Sequence, residues 1–102
     1  MAQYMVLHRY KATPEGFWEY FGAGALQLAQ AMARGQTPAR CLKSWSPFLH
    51  GRDDLLFCLW EAERPEDILT TLGAATEYLI SDIAEVDEIN WEEMAQREPM
   101  PG

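Results

Sequence analysis

The sequence predicts an α+β domain of element order βαββαβ, with a four-stranded antiparallel sheet and both helices on one face. Three observations carry that reading. Apolar residues fill short strand-length runs at 4–10 and 55–60. They recur at helical spacing from Phe17 to Met32 and again from Ile68. Turn residues punctuate the runs at Thr13-Pro14, Gly35-Gln36-Thr37-Pro38, Gly51 and Pro65. Right-handed crossovers then give the spatial order 4-1-3-2, which puts the first and third strands, the more apolar pair, in the centre.

The first strand, residues 4–10, stops where Thr13 is suited to cap a helix and Pro14 to open it. In the helix that follows, Phe17, Phe21, Ala25, Leu28 and Met32 form the inward stripe, while Glu15, Glu19, Gln27, Gln30 and Arg34 form the polar side. Gly35 ends it in a left-handed cap. The run Gly22-Ala23-Gly24-Ala25 costs this helix about 2 kcal/mol relative to alanine. Two readings offset the cost: close approach of a ligand or partner backbone, or tight packing or a kink. The run is no nucleotide loop, because it follows helical residues and Gln27 stands where a third glycine belongs.

Residues 40–48 and 54–62 read as two strands joined through Leu49-His50-Gly51-Arg52-Asp53. Pro47 confines the first of them to a sheet edge or ends it early. The second is apolar on both faces, so it needs helices on one side and another covering on the other. Pro65-Glu66-Asp67 opens the second helix, with Ile68, Leu72, Ala75 and Leu79 as its buried stripe. Ser81-Asp82 breaks that pattern, and residues 83–91 alternate as the last strand. The expected domain is 1–94, with a flexible, frayed or partner-contacting tail over 95–102.

A net charge of −8 repels nucleic-acid backbones and anionic membranes, and the eight Lys and Arg residues form no stripe. Neither nucleic acid nor membrane is an expected partner, and no stretch is long enough to span a bilayer. Cys41 and Cys58 are too few for a disulfide framework and read as semi-buried thiols in neighbouring strands. A reducing cytoplasm is the expected location.

With Tyr4-Met5-Val6-Leu7-His8-Arg9-Tyr10, Lys43-Ser44-Trp45 and Leu55-Leu56-Phe57-Cys58-Leu59-Trp60-Glu61-Ala62 running into Arg64-Pro65-Glu66-Asp67, the chain resembles the ferredoxin-like dimeric α+β barrel superfamily over roughly residues 3 to 91. It is most similar to the small branches of unknown function. The resemblance implies a homodimer with sheets packed face to face. Its activities range over cofactor-independent monooxygenases, isomerases and heme-handling proteins, so it implies no residue-by-residue activity.

The strand alternation groups His8 with Tyr4, Val6 and Tyr10, and leaves Met5 and Leu7 as the helix-facing set. On that grouping His8 points into the barrel cleft as a general base, or is a structural or rim histidine. His50 reads as a solvated turn residue. Trp45 and Trp60, with Tyr4 and Tyr10 near His8, line a flat apolar pocket rimmed by Glu85 and Asp87. The alternative is that both Trp serve the dimer interface and the carboxylates protect an edge strand. A metal would need His8, Cys41, Cys58 and a carboxylate to converge, and no spacing requires it, so no metal or cofactor is expected. The leading reading is a homodimer whose cleft between sheet and helices binds a small organic molecule, and oxidises or isomerises it without a tightly bound cofactor. The alternatives are a non-catalytic ligand sensor or assembly module, and heme or metal binding. Whether the protein is an enzyme stays open at this point.

Overall fold

The computed structural model describes residues 1–52 and 54–97. Its elements are β1 (Ala2–Tyr10), α1 (Pro14–Ala33), β2 (Ala39–Trp45), β3 (Leu55–Ala62), α2 (Pro65–Leu72), β4 (Leu79–Val86) and α3 (Trp91–Ala95). The strands form one antiparallel sheet in the order β2-β3-β1-β4, which is the ferredoxin-like order read from the other edge. β1 and β3 are central. β2 is an edge strand that ends before Pro47, as a residue with no N–H to donate requires.

α1 begins where Thr13 caps it, the hydroxyl accepting from the Gly16 N–H at 3.4 Å, with Pro14 in the first turn. It ends before Gly35, whose φ of 69° is the left-handed geometry a helix exit uses. Phe17 is fully buried, and it gathers Tyr10, Trp18 and Phe21 around it with ring centroids 5.6, 5.1 and 5.1 Å away. That aromatic cluster fastens the first half of α1 to the sheet. The inward face then changes from Phe17 and Phe21 to Ala25, Leu28 and Ala29, so the second half spans the sheet with small side chains beneath it. Gly22 and Gly24 have nothing within 4 Å of where a Cβ would sit. Tight packing among the described residues therefore does not offset their cost.

α2 buries Ile68 and Leu72 against the sheet, each contributing about 1.5–3 kcal/mol by removal from water. It is shorter than the sequence pattern suggests. Gly73 turns the chain at φ 57°, a 3-10 turn covers Gly73–Glu77, and Leu79 opens β4 instead of continuing a helical stripe. Residues 72, 75 and 79 keep helical spacing by coincidence, because all three are core positions of consecutive elements. The last strand therefore runs from Leu79 to Val86, not over 83–91. Trp91–Ala95 is helical, with Asn90 Oδ1 accepting from the Glu93 N–H at 3.0 Å, and it reaches the first residue of the expected tail. Residues 98–102 of that tail, and Asp53 of the expected turn, lie outside the described residues.

One face assignment is reversed. Tyr4, Val6 and His8 are buried beneath the helices, while Met5 is 36% exposed on the other side of the sheet. The partners in register agree: Tyr4, Val6 and His8 stand beside Trp60, Cys58 and Leu56, all buried. Met5 and Leu7 stand beside Leu59 and Phe57 on the open face. Aromatic bodies with a polar tip bury more area than Met or Leu and can still find a hydrogen bond, which is why they take the inside. The radius of gyration is 16.3 Å, against about 13 Å for a compact 100-residue domain. Among the described residues the buried core lies on the helix side of the sheet.

Candidate functional site

The unfilled space beneath the second half of α1 is a cavity of about 230 Å³. Its roof is Phe21, Ala25, Leu28 and Met32 of α1, and its floor is Leu56, Cys58 and Trp60 of β3. His8 closes it on the β1 side, and Cys41 and Ser44 close it on the β2 side. Such a volume suits a one-ring or two-ring molecule, since a dry apolar cavity of about 150 Å³ accepts benzene and pockets for larger ligands run from about 300 Å³ upward.

Few polar groups reach this apolar space. His8 is 1% exposed, and its Nδ1 lies 2.7 Å from Ser81 Oγ on β4. Burial drives its pKa down to about 4, so the imidazole is neutral at physiological pH. A ring that weakly basic is a poor proton acceptor but a sound hydrogen-bond partner. Trp60 is 2% exposed, and its Nε1 has no hydrogen-bond partner among the described residues. Its N–H favours the Cys58 thiolate without making a well-formed hydrogen bond to it. A buried indole donor left unpaired costs about 1–3 kcal/mol.

On the β2 side, Ser44 Oγ lies 3.4 Å from Cys41 Sγ and 3.2 Å from Cys58 Sγ. The Met32 sulfur accepts from the Cys41 N–H at 3.3 Å, tying α1 to the edge strand. A register shift between Cys41 and Lys43 marks a bulge in β2. It turns both Cys41 and Ser44 toward the helices, where strict alternation would have separated them. Cys41 is half-buried and Cys58 is buried, and they occupy neighbouring strands, as the sequence suggests.

The residues singled out from sequence do not all come together in one place. His8 and Trp60 share the cavity. Tyr4 is buried between Trp60 and Glu85 in the sheet register, its phenol pushed above its ordinary range by burial and by the Glu85 carboxylate, and it does not line the cavity. Tyr10 packs on Phe17 outside the cavity wall. Glu85 is exposed on β4. Trp45 and Asp87 lie across the sheet, in a groove on the open face with Met5 and Leu59. His50 is exposed in a 3-10 turn.

The members sequence reasoning missed are Ser44, Ser81 and the convergence of both cysteines. The register of a hairpin could have signalled Ser44 beside Cys58, but the bulge that brings in Cys41 has no sequence mark. Among the described residues, no three His, Cys, Asp or Glu side chains are grouped as a metal ion requires. No described helix is long and apolar enough to cross a membrane. No family model matches the chain, and no curated protein or solved structure matches it either.

Proposed function

We propose that this protein binds a small, mainly apolar molecule of one or two rings in the cavity beneath α1, with an oxygen acceptor on the ligand taking the Trp60 N–H. The observation that carries the reading is an apolar space of about 230 Å³ lined by Trp60, whose buried indole N–H has no hydrogen-bond partner among the described residues. His8 and Ser81 supply a second, neutral hydrogen-bonding pair at the far side. A thermal-shift titration tests this: acetophenone, with one ring and one carbonyl, should raise the melting temperature in proportion to the logarithm of its concentration once saturating. A steroid ketone should not. The Ala25→Phe variant, which fills the roof, should lose the response, and no response in the wild type overturns the reading.

We propose further that the protein is a homodimer of the face-to-face barrel type. Trp45 is 48% exposed, Ile80 56%, and Met5 and Phe57 36% each, all on the sheet face opposite α1 and α2. A second copy is the occupant that the shape and charge support. Lys43 lies at the β2 edge of that face and Asp82 at the β4 edge. A two-fold axis along the strands brings the basic edge of each copy over the acidic edge of the other.

A further inference from the structure

Cys41 and Cys58 stand on the cavity wall, and ligand binding alone has no use for them. Both sulfurs contact one hydroxyl, Ser44 Oγ, at 3.4 and 3.2 Å. Their surroundings differ. The Cys41 thiol is held down to about 7, chiefly by the neighbouring Cys58 thiol and further by Ser44 and the Lys43 backbone. The neighbouring Cys41 sulfur and burial push the Cys58 thiol up. One sulfur is thus a nucleophile at neutral pH, and the other stays a thiol beside it.

We propose that Cys41 and Cys58 are a redox pair that reduces an organic hydroperoxide whose apolar body sits in the cavity. This rests on the cavity being a small-molecule site. The Cys41 thiolate attacks the terminal oxygen of R–O–O–H. The S–O bond forms, the O–O bond breaks, and the departing alkoxide takes a proton from solvent to become the alcohol. Cys41 is then a sulfenic acid. The Cys58 sulfur attacks the Cys41 sulfur, forming the S–S bond and breaking S–O, and the hydroxide leaves as water with the Cys58 proton. Two thiols become a disulfide while one peroxide becomes alcohol and water, and an external thiol restores the pair.

A thiol placed beside a reactive cysteine is the arrangement that captures a sulfenic acid. The bulge on an edge strand gives the Cys41 backbone room to adjust as the sulfurs close to about 2 Å. The apolar wall of Phe21, Leu28, Leu56 and Trp60 selects the substrate class, since hydrogen peroxide has nothing to bury there.

The test treats the reduced full chain with one equivalent of cumene hydroperoxide and follows thiol titre and intact mass. Both thiols should disappear with a loss of about 2 Da. The reaction should outpace that of hydrogen peroxide by about tenfold or more, because burial of the cumyl group favours the encounter. Cys58→Ser should stop at a Cys41 sulfenic acid that dimedone captures, and Cys41→Ser should leave Cys58 unreacted. Equal rates with the two peroxides, or Cys58 reacting first, overturn the proposal. A separate thermal-shift titration with cumyl alcohol divides the two readings. A shift with surviving thiols removes the redox pair and leaves the binding site standing, whereas no shift removes both.

Discussion

His8 Nδ1 and Ser81 Oγ lie 2.7 Å apart across the β1–β4 pair, and burial keeps the imidazole neutral. Burial sets its folded pKa at about 4, below the value of about 6.5 in an unfolded chain. Between those two values the unfolded chain binds a proton that the native state does not. The stability from this group is therefore fully present above about pH 6.5 and is lost as the pH falls toward 4, on the order of 3 kcal/mol in all. Urea unfolding of wild type and His8→Phe across pH 7.5 to about 4 checks this. The wild type should lose stability relative to the variant on acidification; a constant difference would contradict a buried neutral histidine.

Thr71 joins α2 to the edge strand. Its Oγ1 accepts from the Ala39 N–H at 3.1 Å and donates to the Asp67 carbonyl at 2.8 Å. Thr71→Val keeps the shape and leaves the Ala39 N–H without that partner, at a cost of about 1–3 kcal/mol. The melting temperature should fall by several degrees or more, and Thr71→Ser should recover most of it.

Gly22 and Gly24 lie mid-helix with open space where a side chain would go and no positive φ. Gly22→Ala and Gly24→Ala should each stabilise the protein by about 0.5–1 kcal/mol, measured as a higher urea midpoint with an unchanged slope. Destabilisation by either would show that these glycines serve a contact formed only in an assembly.

The two faces of β3 predict opposite outcomes for one kind of substitution. Phe57→Asp, on the open face, should halve the mass seen by light scattering while leaving the circular dichroism unchanged. Trp60→Asp, in the core, should unfold the chain because it buries an unpaired charge. A wild-type protein that scatters as a monomer at micromolar concentration would remove the dimer.

Element order, strand order and the limits of α1 were legible because they rest on punctuation: Thr13-Pro14, Gly35 and Pro47 each permit few conformations. The inward face of β1 was not legible. Tyr4, His8 and Tyr10 alternate with Met5 and Leu7, so both faces are apolar enough to be inside, and only the partners in register decide between them. The α2–β4 boundary was hidden because Leu72, Ala75 and Leu79 keep helical spacing across a 3-10 turn. The cavity is partly readable as the change from Phe17 and Phe21 to Ala25 and Ala29. Its chemistry is not, since the meeting of Ser44 with both cysteines depends on a bulge at Leu42.

The most direct measurement on the cavity is a two-dimensional ¹H–¹⁵N NMR titration of the reduced protein with acetophenone, following the indole resonance of Trp60. The Trp60 Nε1–H signal should move downfield and saturate, as a donor without a partner gains one. The amides of His8 and Ser44 should move with it, and those of Trp45 and Phe57 on the open face should stay in place. Saturable shifts confined to the open face, or a Trp60 signal that never moves, would contradict a ligand site beneath α1.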